Sequence, residues 1–308
     1  MLKRLGRRIR THLLRSCHGL MVRPVLRTAP VRAGATPCTV LTMVSHRDIV
    51  PYLVAIKTFA HHADPAGVAV LCDESVTVAD RALVKAQIPD VEFLDIRAFR
   101  RPGIPVGGCW ERLLAVTELA KTRYVVQLDS DTVTTGETDE VVKAVGNETA
   151  FVMGKEPGQP IGSLIDLQEK TAALAGKLGS MHIHNAAQYH LSRIGLDMSL
   201  RYTDGWASFT GFPRDVTLQT RLFEVAHRMR SGMGASLDEW GTEMVVSNFL
   251  VANSAGAETL PFPKYCTPVH GETAVHLWHF VGSLRYDDFR YIKTSVAGVR
   301  SLRARPRR

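Results

Sequence analysis

The sequence predicts an α/β protein with a doubly wound, mostly parallel sheet in its first half and a mixed second half. Three observations predict it. Between Cys38 and Val133, short apolar runs rich in β-branched and aromatic residues alternate with segments of helical periodicity, the pattern of strands joined by crossover helices. The composition is globular, with 308 residues, 45% of them hydrophobic and 22% charged, enough for one large core or two modest ones. The fourth apolar run ends in two carboxylates, Asp129 and Asp131, at the carboxyl end of a strand, where open sheets of this kind bind ligands.

The elements follow in order. Cys38 to Ser45 is the first core strand, after a linker from Pro24 to Pro37. Pro51 to His62 is a helix with proline in its first turn. Val68 to Ser75 is a second strand, Val78 to Gln87 a helix and Val91 to Ile96 a third strand. Gly107-Gly108 opens a helix running to about Thr122, whose Trp110, Leu113, Leu114 and Leu119 face inward. Tyr124 to Val133 then holds the fourth strand. The second half is less regular: a strand over Thr149–Met153, a helix over Ile161–Lys177, a helical or mixed stretch over Met181–Leu196 and a strand over Asp204–Phe212. Helices over Val216–Met229 and Asp238–Ala252 follow, then a loop over Thr259–Cys266 and an apolar run over His276–Val281.

Charge is unevenly spread. Residues 1–32 hold nine Lys/Arg and no acid, and residues 289–308 hold seven and no acid, so the +8 net charge belongs to the ends and the middle is acidic. A nucleic-acid-binding body would carry its positive stripe on the fold itself, so no nucleic-acid partner is expected. No run of 18 apolar residues marks a membrane span. Leu2, Leu5, Ile9 and Leu13 recur at helical spacing among arginines, and Phe289, Ile292, Val296, Val299 and Leu302 form a second stripe. Both suit helices on an anionic membrane surface. A disordered basic arm, or in a eukaryote a transit peptide, are the other readings of the first segment, and packing on the protein's own core is the other reading of the second stripe. Five widely spaced cysteines without a Cys-x-x-Cys pair point to a reducing compartment, with Cys38 and Cys72 as core residues. The expectation is a cytoplasmic protein, peripheral on the inner face of a membrane.

Asp129 and Asp131, two residues apart at a strand end, raise each other's pKa unless a cation sits between them, and a hard divalent ion is the natural partner. His276 and His279 are candidates for a third ligand; an isolated histidine in an apolar run is otherwise a core or surface residue. Only His279 is followed by Gly282, which lets backbone approach a ligand closely, and by Arg285, a fixed cation suited to phosphate.

Asp129-Ser130-Asp131 resembles the Asp-x-Asp signature of GT-A-fold glycosyltransferases, and His279-x-x-Gly282-x-x-Arg285 resembles the His-x-x-Gly-x-x-Lys signature of glycosyltransferase family 8. The departures are Arg285 for lysine and Tyr286 where Pro-Trp often follows. The resemblance spans roughly residues 38–288, leaving 1–37 as a basic amphipathic arm and linker and 289–308 as a basic amphipathic tail. It implies a Rossmann-like nucleotide-binding half and a mixed acceptor-side half. It implies Mn²⁺ or Mg²⁺ held by Asp129, Asp131 and His279 between the phosphates of a nucleotide-diphosphate sugar, with Ser130, Gly282 and Arg285 at the diphosphate. By the same resemblance Arg112 contacts the donor, the loop Ser45-His46-Arg47-Asp48 meets the nucleotide base and ribose, and Asp73 is a weaker donor-side candidate. Glu243, then Asp238, stand near the acceptor and the reacting carbon. Arg112 could instead serve a surface salt bridge, and the loop and helix-start acids could be caps. Trp206 and Phe209 could stack on an acceptor sugar or belong to the core.

The function expected is sugar transfer from a nucleotide-diphosphate sugar, UDP-linked by preference, to a hydroxyl of a glycan or lipid-linked acceptor. The alternatives are a nucleotidyltransferase, which would carry a Gly-rich loop after the first strand where Thr42 to Asp48 has no glycine, and a non-catalytic nucleotide- or sugar-binding module.

Overall fold

The computed structural model describes residues 2–267, 271–282 and 285–304, with side chains from Arg10 onward. Helix α1 (Leu2–Val22) and a 3-10 turn (Arg23–Arg27) lead to β1 (Thr36–Val44), α2 (Ile49–Ala63), β2 (Pro65–Cys72), α3 (Val78–Gln87) and β3 (Glu92–Asp95). Then come α4 (Trp110–Leu119), β4 (Tyr124–Leu128), β5 (Thr132–Thr134), α5 (Asp139–Gly146) and β6 (Phe151–Met153). The second half runs β7 (Gly162–Ser163), α6 (Leu164–Thr171), α7 (Ile183–Leu191), β8 (Arg201–Tyr202), β9 (Trp206–Phe212), α8 (Leu218–Met233) and α9 (Thr242–Ala252). Strands β10 (Glu258–Leu260), β11 (Tyr265–Cys266) and β12 (Leu277–His279) precede α10 (Arg290–Ala304). Local chemistry sets several starts: Thr77 and Ser163 close capping boxes with Asp80 and Asp166 at α3 and α6. Gly107, Gly108 and Cys109 take left-handed backbone into α4.

The main sheet has the order β10-β6-β9-β4-β1-β2-β3. All its neighbours pair in parallel except β9, which runs antiparallel between β4 and β6. The sheet is therefore doubly wound and mostly parallel, as predicted. Its strands alternate their side chains between two cores. Val40, Val44, Val68, Val70 and Val126 face α2, while Leu41, Ala69, Leu71 and Val125 face α4, α8 and α9. At the β9 crossing only glycine fits: a Cβ on Gly211 would stand 2.2 Å from Phe151 Cε1.

Three expectations change. Thr259 to Cys266 is not only loop, since β10 edges the main sheet beside β6 and β11 pairs β12; at two and three residues these strands are too short for a periodic signal. The stretch from Pro24 to Pro37 is anchored. The amine of Lys57, buried on α2, donates to Thr28 O at 3.2 Å, Ala29 O at 3.0 Å and Gln87 Oε1 at 2.6 Å, and burial lowers its pKa to about 8. The terminal helices also pack on the body. Helix α2 is buried nearly all round, from Tyr52 to Ala60, because the sheet covers one side and α1 and α10 cover the other. Ile292 and Val299 of the last stripe are buried in that layer and Val296 packs against it, whereas Phe289 is exposed. That stripe faces the protein's own core and not a membrane. Leu14, His18 and Val22 of α1 are buried as well; the side chains of Leu2, Leu5 and Ile9 lie outside the described residues. Among the described residues no helix is long and apolar enough to cross a membrane, and the five cysteines are unpaired.

Candidate active site

The site forms where β4 ends. Asp129 N donates to Ser208 O on β9, and a tight turn follows, closed by Thr132 N and Thr132 Oγ1 on Asp129 O at 3.2 and 2.8 Å. Half-buried Ser130 lies within this turn. The chain then leaves as β5, which pairs antiparallel with β12 so that Thr132 lies opposite His279. Phe280 N donates to Asp131 O at 3.0 Å. A residue 148 positions later is thereby brought to the second carboxylate: His279 Nε2 is 3.6 Å from Asp131 Oδ1. Ligand atoms of Asp129, Asp131 and His279 all fall within 4.8 Å of one another. His279 Nδ1 lies 3.0 Å from Ser208 Oγ and 3.3 Å from Thr267 Oγ1.

Two arginines bind this cluster. Arg112, on the first turn of α4, donates to Asp129 and, at 2.9 Å, to Glu243 Oε1 on the first turn of α9. The helix starts are fixed to each other by Trp110 Nε1 donating to Thr242 Oγ1 at 3.1 Å. Arg285 donates to Asp131 Oδ2 and to Phe280 O, the latter at 3.3 Å, and stands 3.8 Å from Asp48 Oδ1. Gly282, just before it, has positive φ (37°) and is exposed. Burial raises the Asp129 carboxyl to about 6, with the Asp131 charge pushing the same way and Arg112 opposing. Burial also raises Glu243, again against Arg112.

Asp131 Oδ1 is buried and has no hydrogen-bond partner among the described residues. It faces His279 Nε2 across a gap too long for a hydrogen bond and wide enough for a cation between them. Two carboxylates and an imidazole suit Mn²⁺ or Mg²⁺, so the residues present fit the ion.

The other predicted residues divide. Ser45 donates to Asp48 Oδ2 at 2.6 Å, holding the loop after β1 at the edge of the site. His46 is turned to Asp80, 2.7 Å away, and is largely exposed. Asp73 accepts from Ser75 N and Oγ, closing the turn after β2. Trp206 sits edge-on to His279 with ring centres 5.8 Å apart, at the site. Phe209 does not reach it: the side chain is fully buried against Phe59, Phe151 and Tyr265, so the acceptor contact expected of it is replaced by a core role. Asp238 is also displaced. It lies in the 3-10 turn before α9, and its oxygens pair with Arg230 at 2.5 and 3.0 Å on the surface.

Sequence reasoning missed Ser208 and Thr267 beside His279, and it placed Asp48 in a donor-side loop without foreseeing its approach to Arg285. It also missed a polar group next to Trp206. Lys155 Nζ is 2.6 Å from Asp204 Oδ1 and 5.1 Å from the centre of the Trp206 ring, and His184 Nε2 is 2.8 Å from the same oxygen. Charged residues just beyond β6 and just before β9 were the available signal for Lys155 and Asp204.

Solved structures place the fold. No protein-family model matches the chain, and no curated protein matches it in sequence. In fold it is similar to an apo structure titled WbbM bifunctional glycosyltransferase, with a TM-score of 0.55 at 17% identity over 88% of this chain. The chain spans half the length of that protein. It is also similar to an active-site mutant of LgtC, with a TM-score of 0.52 at 12% identity over 84% of this chain and 95% of the other. The fold is that of GT-A-type glycosyltransferases.

Proposed function

We propose that this chain is a metal-dependent glycosyltransferase related to family 8, moving a sugar from a nucleotide-diphosphate sugar, UDP-linked by preference, to a hydroxyl of a glycan or lipid-linked acceptor. The observation that carries the reading is the buried, unpartnered Asp131 Oδ1 facing His279 Nε2 at 3.6 Å, with Asp129 alongside. Mn²⁺ or Mg²⁺ held by these three side chains would act as a Lewis acid toward the leaving diphosphate.

The remaining work belongs to the chain's own groups. A His279 Nδ1–H donating to the Ser208 hydroxyl leaves the Nε2 lone pair free for the ion. Arg285, at the mouth of the same cluster, supplies donors fixed in a planar fork toward phosphate oxygens. Arg112 orients Asp129 and presents its charge to the donor side, and Glu243 keeps Arg112 in place. Glu243 is buried behind that arginine, which favours a positioning role over direct attack on acceptor protons. Trp206, with Lys155 and Asp204 beside it, forms the wall toward which the sugar and acceptor extend. Ser45 and the loop to Asp48 border the nucleotide side.

A thermal-shift panel of nucleoside diphosphates with and without Mn²⁺ tests the reading, followed by product analysis with the best nucleotide's sugar conjugates. Stabilisation that needs nucleotide and ion together, and release of free nucleoside diphosphate, support it. Release of pyrophosphate would indicate nucleotidyl transfer instead, and the absence of any ion-dependent shift would reject the metal site.

A further inference from the structure

The pair of helices α1 and α10 has an inner side that the fold explains and an outer side that it does not. Both helices lie on α2 and against each other, so their free sides are turned away from the body. On α1 that side carries Leu13, Leu20 and Met21, exposed at 60%, 69% and 53%, with Cys17 between them at helical spacing. A solvated helix would place polar groups there. The neighbouring helix exposes Lys293, Arg300 and Arg303, and the turn after α1 exposes Arg23 and Arg27. No acid occurs in residues 1–32 or 289–308.

We infer that this outer face docks on an anionic lipid bilayer, Leu13, Leu20 and Met21 entering the headgroup boundary and the flanking lysine and arginines resting on lipid phosphates. Charge complementarity selects the occupant. The two terminal segments are basic and carry no acid, with Asp287 and Asp288 at their edge, on a protein whose middle is acidic, so a second copy of the chain would set mostly like charge against like, whereas an anionic leaflet attracts the lysine and arginines of the face. An apolar strip flanked by arginine and lysine is the composition of an interfacial helix. The inner side of α1 ties this surface to the active site. Arg10 donates to Asp287 O at 2.8 Å, Arg15 stands over the Tyr286 ring and His18 meets Tyr286 Oη at 3.2 Å, all within the turn that carries Arg285.

The test is flotation of the full chain with vesicles of phosphatidylcholine alone or mixed with phosphatidylglycerol, at low and high salt. The expected result is flotation with the anionic vesicles that weakens as salt rises. Leu13→Glu with Leu20→Glu, at exposed positions, should keep the thermal midpoint and weaken partitioning by at least about tenfold. Lys293→Glu with Arg300→Glu, a second route that leaves α1 intact, should weaken it similarly at low salt. Flotation that is absent, equal with both vesicles, or unchanged in both variants would overturn the inference. So would a dimer in light scattering that both variants abolish while flotation stays as it was. None of these outcomes depends on transferase activity.

Discussion

Acidification should loosen the clasp between α1 and the Arg285 turn, and His18 sets the scale. Its ring is fully buried, 4.1 Å from the Tyr291 ring centre, with Nδ1 3.2 Å from Tyr286 Oη and Nε2 without a partner among the described residues. Burial, with the Arg285 charge adding to it, lowers the His18 pKa from 6.5 to about 3. A base whose folded pKa is depressed binds its proton only on unfolding. The stability it contributes is complete above the unfolded value and is lost as pH falls below 6.5, until the folded value near 3 is reached. One pH unit below the unfolded pKa, at about pH 5.5, the loss is about 1.4 kcal/mol. His18→Phe keeps a ring in the site and removes the titration. Urea unfolding of both proteins at about pH 7.5 and about pH 5.5 isolates the term, because every other titrating group cancels in the difference. The native chain should lose about 1.4 kcal/mol more than the variant over that interval. Equal losses, within about 0.5 kcal/mol, would refute the buried neutral imidazole.

The other expectations concern the site. Asp131→Asn should abolish the Mn²⁺-dependent part of nucleotide stabilisation, which at a hundredfold excess over Kd amounts to about 2.7 kcal/mol in the native protein; a retained ion-dependent shift would sink the metal assignment. His279→Ala should weaken the same shift and His276→Ala should not, because the His276 ring is turned to Glu137 O at 2.7 Å, away from the cluster; equal effects would mean that the wrong histidine was chosen. Glu243→Gln should lower kcat by roughly 10- to 100-fold and raise donor KM as well, because it loosens Arg112, which holds Asp129 and faces the donor side; unchanged kcat and KM would leave Glu243 a structural residue. Phe209→Ala should cost about 3–5 kcal/mol of stability, whereas Trp206→Ala should spare stability and lower acceptor kcat/KM, and a reversal would return Phe209 to the site.

How much was legible depends on whether the signal lay along the chain or across it. The strand before Asp129 announced itself through Tyr124, Val125 and Val126, and His279 through its fixed offsets to Gly282 and Arg285. These are local patterns, and the fold preserves them. Lys155, His184 and Asp204 sit on three segments that meet only because β9 inserts antiparallel between β4 and β6; no spacing in the sequence encodes that insertion. Phe209 looked as available as Trp206 because its burial is decided by Phe59 and Tyr265, distant in sequence. Asp238 and Glu243 differ by one boundary. Helix α9 begins at Thr242 after a left-handed Gly241, so Glu243 points with the helix toward Arg112 while Asp238 turns back to α8.

Arginine at position 285, where the family 8 signature that this stretch resembles has lysine, fits the charge balance of the site. Arg112 lies between Asp129 and Glu243, and Arg285 lies between Asp131 and Asp48. Each cation thus serves two carboxylates that come from different elements. A planar guanidinium can span two acids in this way, whereas an ammonium offers a single point of charge. Arg47 adds a third cation at the exposed edge, its Nε 3.6 Å from Asp48 Oδ2, and with all four carboxylates ionised the acids still outnumber the three arginines. The shortfall is greatest around the Asp131 oxygen that has no partner. Among the described residues this network leaves two buried polar atoms without a hydrogen-bond partner, Arg112 Nε and Asp131 Oδ1, and the carboxylate oxygen faces His279. An ion entering there would release the arginines from part of their duty to the acids and free their remaining donors for a diphosphate, so that ion and donor would favour each other's binding.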